Sequence, residues 1–150
     1  MAHDGQDIST MTNPVILPDL LSLTGAAIAP VNAVFEAARE SVRTMVSADG
    51  KISGALIEAN QTAAHGLSWL ATYQQSLQQM QRWAEALNSD GKLGELEQLL
   101  LQIAFGEYLH QIAGGIPMNQ GEVVRLQDMG LSWDALSGFQ CTEVQTLMAS

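Results

Sequence analysis

The chain has 150 residues, of which 16 are acidic and only six are Lys or Arg, giving a formal charge of −10. With 47% hydrophobic and 15% charged residues, it is apolar enough to fold around a core, which argues against disorder and fits a single domain. The basic residues are few and scattered, so the composition excludes a basic surface for nucleic acid and disfavours an anionic membrane as partner.

The compartment is predicted from one cysteine and from the first residues. Cys141 has no second cysteine with which to form an internal disulfide, which suits a reducing compartment. The opening MAHDGQDIST lacks the basic and apolar segments of a secretory signal. No run approaches the roughly 18 uninterrupted apolar residues that a membrane span needs. We therefore expect a cytoplasmic chain with no membrane partner.

Residues 1–17 are predicted to be a flexible tail, and residues 18–150 a helical bundle domain. Pro18-Asp19 can begin a short helix, whose end between Gly25 and Pro30 the sequence does not define. Pro30 then fits the first position of the next helix. That helix should end near Ala48-Asp49-Gly50, a turn sequence. Its apolar residues follow helical spacing and are Val31, Val34, Phe35, Ala38, Val42, Met45 and Val46.

The longest predicted helix runs from Gly54 to Leu87, with Ser53 as its N-cap. Its apolar positions recur in steps of three and four and form one narrow seam, as in an antiparallel bundle. The seam consists of Leu56, Ala59, Ala63, Gly66, Leu67, Leu70, Tyr73, Leu77, Met80, Ala84 and Leu87. The glutamine-rich stretch at 74–81 lies mostly off this seam, and we predict that it faces solvent or a partner.

A third helix is predicted from Gly94 to Ala113, ending at Gly114-Gly115. Because it is apolar nearly all round, we expect it to be central and surrounded by other elements. Gly106 in its middle indicates close packing against another helix, since glycine there otherwise costs about 1 kcal/mol.

The last third of the chain has weaker periodicity. Residues 118–130 are predicted to be an ordered loop with a turn or two, followed by a short helix that Ser132 caps and another that Thr142 caps. A chain end inside a helical pattern fits a short terminal helix and a piece of a longer protein equally well. The predicted fold class is all-α: an up-down helical bundle of three to five helices with one long central helix.

Few residues suggest chemistry. Glu107 and His110 form Glu-x-x-His, half of the motif of di-iron helical bundles, but no second copy exists and chance occurrence is the simpler interpretation. His65 is expected to be a packed histidine bound to a carbonyl or water, or else a polar contact to a ligand or an attached domain. Cys141 has no base nearby in sequence and is expected to be inert. His3 lies in the tail. We expect no metal site.

Three segments carry a family resemblance: AHGLSWLATY from Ala64 to Tyr73, GELEQLLLQIAFGEYL from Gly94 to Leu109, and GGIPMNQGEVVR from Gly114 to Arg125. They resemble acyl-CoA dehydrogenases that carry an N-terminal helical extension, most of all the (2S)-methylsuccinyl-CoA dehydrogenase type. The resemblance covers residues 50–130.

The resemblance implies an oxidoreductase acting on adjacent carbons of a CoA thioester, with a carboxylate base, FAD and electron-transfer flavoprotein. The family's catalytic body consists of three further domains, which this chain is too short to contain. No catalytic residue and no cofactor is therefore assigned to this chain, and FAD is expected in the parent enzyme.

Under this interpretation the chain's partner is the dehydrogenase catalytic body. The chain would cover the surface of this body, shape its acyl-CoA entrance or set its assembly. The expected contact surface is an irregular segment, since such segments often carry function; its residues are Gly114, Gly115, Ile116, Pro117, Met118, Gln120, Glu122 and Arg125. The alternative is a free-standing helical interaction module that self-associates as a homodimer through the long helix.

Overall fold

The computed structural model describes residues 15–150; most of the predicted tail, with His3, lies outside the described residues. The α-helices are α1 (Leu20–Met45), α2 (Gly54–Ala59), α3 (Gln61–Ser89), α4 (Glu95–Gly114) and α5 (Thr142–Met148). The strands are β1 (Ser47–Ala48), β2 (Lys51–Ile52), β3 (Ile116–Asn119) and β4 (Glu122–Val124). Two 3₁₀ helices cover Leu126–Met129 and Asp134–Phe139.

The predicted helical bundle is confirmed, with α3 as its long central helix. α1 runs antiparallel to α3, because Thr24 contacts Gln81 while Asn32 contacts Gln74 further back along α3. α4 returns antiparallel along another side of α3, and α5 packs on α4 and α1. The core is apolar, and its largest fully buried side chains are Phe105, Leu70, Leu77, Leu101, Leu109, Ile112, Ile116, Met129 and Leu147.

The first helix is continuous, so the predicted break between Gly25 and Pro30 is wrong. Pro30 lies inside α1 and cannot donate a hydrogen bond to the carbonyl of Ala26. Ala26 is exposed, so water can bind that carbonyl. Ala27 and Val31 on the opposite side are fully buried, and this packing holds the helix together across the proline.

The turn predicted at Ala48-Asp49-Gly50 is confirmed as the tip of a hairpin between β1 and β2. Asp49 and Gly50 have φ of 51° and 73°, the left-handed pair that a tight hairpin turn requires. Ser53 caps α2 as predicted, because its hydroxyl accepts a hydrogen bond from the backbone N–H of Leu56.

The long helix predicted from Gly54 is interrupted at Asn60, which separates α2 from α3. The Asn60 side-chain amide donates to the carbonyl of Leu56 at 2.9 Å, a local bond of the kind that competes with regular helix. α2 buries no residue, so packing does not keep it in line with α3. The predicted seam therefore begins at Ala63.

Two glutamines of the stretch at 74–81 are buried, whereas we predicted that this stretch faces solvent or a partner. Gln74 donates to Asn32 at 2.9 Å, and Gln81 accepts from Thr24 at 2.6 Å. Both partners lie on α1, so the interface between α1 and α3 contains satisfied polar pairs among its apolar contacts. On α4 a third buried glutamine, Gln102, accepts a hydrogen bond from the backbone N–H of Leu17 and so holds the segment that precedes α1 in place.

The prediction that α4 is surrounded is wrong. Its buried face consists of Leu101, Gln102, Phe105, Leu109 and Ile112, while Leu96, Leu100 and Ile103 on the other side are exposed. The close packing predicted for Gly106 is confirmed, since a Cβ there would lie 3.2 Å from the carbonyl oxygen of Leu147 in α5.

The segment predicted as an ordered loop contains the antiparallel hairpin β3–β4, which the sequence did not indicate. The last two helical segments occur where predicted. Ser132 accepts from the N–H of Ala135 at the start of the second 3₁₀ helix. Thr142 is the first residue of α5, and the N-cap position predicted for it is occupied by Cys141.

α1 is long and apolar enough, over one 18-residue window of mean hydropathy 1.4, to meet the length and composition of a membrane span. Its buried positions form one stripe from Leu20 to Val42 that packs mainly against α3. A core helix of a water-soluble bundle has the same composition. The absence of a membrane partner stays a prediction.

Candidate functional site

The predicted contact segment from Gly114 to Arg125 forms the end of α4 and the β3–β4 hairpin. Gly115 turns the chain out of α4 with φ of 138°, a conformation that L-residues rarely adopt. Ile116 and Val124 point into the core, and a Cβ at Gly66 would meet Val124 at 2.5 Å. The hairpin is therefore held tightly against α3.

The other residues of this segment lie at the surface. Gly114, Pro117, Gln120 and Arg125 are exposed, while Gly115, Met118 and Glu122 are half-buried. The turn is closed by Asn119, whose side chain accepts from the N–H of Gly121 and donates to Glu122. The hairpin is thus firmly anchored and its surface is mostly polar. Among the candidate contact residues, only Ile116 is buried in the core.

A polar concavity lies between the hairpin and the start of α3. It is lined by Ile57, Gln61, Thr62, Ala64, His65, Ser68 and Glu122. His65 is exposed rather than packed, and its Nε2 accepts a hydrogen bond from the indole N–H of Trp69 at 3.1 Å. Its partner is therefore a tryptophan and not the carbonyl or water we expected. In the neutral ring the proton then resides on Nδ1.

An apolar groove runs between the antiparallel helices α3 and α4. We define the α3/α4 groove by Met80 and Trp83 of α3 and by Leu100, Ile103 and Ala104 of α4. Leu96 extends it along α4 at 64% exposure, with Leu100 at 49%, Ile103 at 59% and Trp83 at 37%. Sequence reasoning missed this surface, although the spacing of Leu96, Leu100 and Ile103 is that of one helix face.

A second apolar concavity lies near the C-terminal end, with a volume of about 330 Å³. It is lined by Ala113, Leu126, Trp133, Leu136, Phe139, Gln140, Val144, Gln145 and Met148. Its side-chain hydrogen-bonding groups are the amides of the two glutamines and the indole N–H of Trp133. It contains no basic residue that could bind the diphosphate of FAD. The residues present do not fit that cofactor.

The remaining candidate residues are not brought together. Glu107 and His110 are both exposed, and His110 Nδ1 lies 3.1 Å from the carbonyl oxygen of Gly106. Within residues 15–150 there is no group of three or more His, Cys, Asp or Glu side chains that could hold a metal ion. The pKa of the Glu143 carboxyl is lowered by a backbone hydrogen bond at Glu143 and then by the Cys141 thiol.

Comparison with known proteins identifies a relative of this chain. No protein-family model matches the chain. Over 121 residues, 81% of its length, the chain is 54% identical to a (2S)-methylsuccinyl-CoA dehydrogenase from Cereibacter sphaeroides. The chain spans only 22% of that protein. The predicted resemblance to this type of acyl-CoA dehydrogenase is confirmed.

Proposed function

We propose that this chain is the N-terminal helical domain of a FAD-dependent acyl-CoA dehydrogenase of the (2S)-methylsuccinyl-CoA type. The observation that carries the proposal is the 54% identity over 121 residues to a dehydrogenase of which the chain spans 22%. The domain would act in the cytoplasm by covering the catalytic body, shaping its acyl-CoA entrance or setting its assembly.

The parent enzyme would oxidise two adjacent carbons of a CoA thioester with FAD, and the other domains would supply the catalytic base and bind the flavin. In this chain the described residues offer rigid surfaces: a hairpin held by Ile116 and Val124, and exposed apolar side chains on α4. A structural role fits these features, because a surface can position a neighbouring domain without taking part in a reaction step.

The test is a chimaera in which the whole chain replaces the matching segment of the Cereibacter relative. We expect the chimaera to retain acyl-CoA-dependent electron transfer to an acceptor dye, and a deletion of the segment to lose activity or raise KM. A chimaera that is folded and flavin-loaded but behaves like the deletion would refute the proposal.

The contact residues are proposed to lie on the exposed part of the β3–β4 hairpin and the residues beside it. Arg125→Glu inverts an exposed charge there while leaving its backbone N–H bonded to the carboxylate of Asp128 at 2.7 Å. We expect this variant to change KM or assembly of the chimaera without unfolding the domain. Lys51→Glu, which makes the same charge change on the β1–β2 hairpin, is the control. Equal behaviour of the two variants would remove the β3–β4 hairpin from the interface.

A free-standing interaction module remains the second candidate, because the α3/α4 groove is an exposed apolar surface of the kind that partners cover. It would self-associate as a homodimer through the long helix α3. Light scattering of the isolated chain separates the two proposals: a stable dimer at micromolar concentration favours the module, and a monomer favours the domain of a larger enzyme.

A further inference from the structure

We infer that the α3/α4 groove is the surface on which a helix from the rest of the dehydrogenase polypeptide packs. This inference rests on the proposed function. The groove lies between two antiparallel helices and is lined by Met80, Trp83, Leu100, Ile103 and Ala104. A channel of this shape and composition accepts the apolar face of a third helix.

The exposed side chains are numerous and close together. Leu96, Leu100 and Ile103 form one stripe along α4, and Trp83 flanks it from α3. Their exposed fractions correspond to an apolar area on the order of 400 Å², which equals the largest apolar patch of a typical soluble monomer, a patch that is often functional. A surface helix that has no partner normally carries polar side chains at such positions.

Charge and area both disfavour a second copy of this chain as the occupant. Each copy carries a formal charge of −10, so two copies repel. A stable interface between separate molecules buries about 800 Å² on each partner, so a dimer would also have to bury the surface around the groove, which carries the carboxylates of Glu97 and Glu107. A segment of the same polypeptide needs less area, because its tether keeps it at an effective concentration in the millimolar range.

The residues around the groove indicate the chemistry of the occupant. On α3 the positions one turn before Met80 and Trp83 are Ser76 and Gln79, and both are uncharged. On α4 the flanking charges are acidic, Glu97 and Glu107. The fitting occupant is therefore an amphipathic helix with an apolar face and Lys or Arg on its flanks, which would pair with these carboxylates.

The test places Ile103→Glu in the chimaera described above, with Ile52→Glu as the matched control. Ile103 and Ile52 are both 59% exposed, and both substitutions add one negative charge. Ile52 lies on the β1–β2 hairpin, outside the groove. Leu96→Gln is a second variant that removes an apolar contact without adding charge. Circular dichroism of the isolated full-length chain, equal for all variants, shows that the fold is intact.

The readouts are amide hydrogen exchange and thermal unfolding of the chimaera. We expect Ile103→Glu and Leu96→Gln to speed exchange in residues 95–104 roughly tenfold and to separate unfolding of the domain from that of the body. Ile52→Glu should leave both unchanged.

Three results would overturn the inference. If Ile103→Glu matches Ile52→Glu in an active chimaera, the inference fails and the proposed function stands. If the unsubstituted chimaera does not work, both fail. If the isolated chain forms a dimer or binds phosphatidylcholine vesicles, and Ile103→Glu abolishes this, the occupant is a second copy or a lipid surface instead.

Discussion

The pair formed by Thr24 and Gln81 gives a sharp test of the polar interface between α1 and α3. Thr24 donates its hydroxyl proton to Gln81 Oε1 at 2.6 Å, and both side chains are buried. Thr24→Val keeps the volume of the side chain but leaves the Gln81 oxygen without a donor. Such an unsatisfied buried group costs about 1–3 kcal/mol of unfolding free energy.

The assay is a double-mutant cycle by urea unfolding of Thr24→Val, Gln81→Leu and the double variant. We expect Thr24→Val to lower the midpoint by about 1 M urea, given slopes of about 1–3 kcal/mol/M for small domains. In the Gln81→Leu background, where no oxygen is left unpaired, the same substitution should cost less than about 0.5 kcal/mol. The coupling energy should therefore be about 1–2 kcal/mol.

Thr44→Val is the matched control, since Thr44 lies on the same helix and bonds only the carbonyl of Glu40 at 3.0 Å in an exposed position. Its cost should stay within about 0.5 kcal/mol. The reasoning is refuted if Thr24→Val costs no more than Thr44→Val, or if the coupling energy is below about 0.5 kcal/mol. The interface would then depend on its apolar contacts alone.

Further predictions concern close packing and pH. Gly66→Ala should lower the unfolding free energy of the domain by about 1–3 kcal/mol, because the added Cβ would lie 2.5 Å from Val124. Gly54→Ala, whose added Cβ would have no atom within 4 Å, should instead raise it by about 0.4–1 kcal/mol. Urea midpoints measure both changes. Burial, and then the neighbouring Tyr108, raises the pKa of Tyr73 above its usual 10.0. As the pH rises, the phenol of Tyr73 therefore loses its proton in the unfolded chain before it does so in the folded chain. Tyr73 contributes fully to stability below about pH 10, and this contribution is lost as the pH rises through the folded pKa. Tyr73→Phe should flatten this alkaline loss in urea unfolding between pH 9 and 12, and an unchanged slope would contradict the assignment.

Local signals in the sequence determined much of the fold. The three-and-four spacing from Ala63 to Leu87 predicted the seam of α3, because a helix brings those positions to one side whatever surrounds it. Asp49-Gly50 and Ser53 predicted the first turn and the cap of α2, since both depend on backbone geometry within four residues. The resemblance to acyl-CoA dehydrogenases was likewise visible in three contiguous segments.

Only the tertiary structure decided which surfaces are covered. α4 is apolar on nearly every side, so its sequence could not show that Phe105 faces the core while Ile103 faces outward. Gln74 and Gln81 look like surface residues until Asn32 and Thr24 on α1 provide their partners. Periodicity reports that a helix has an apolar face, but burial depends on neighbours distant in the chain, and the α3/α4 groove exists only because two such helices meet.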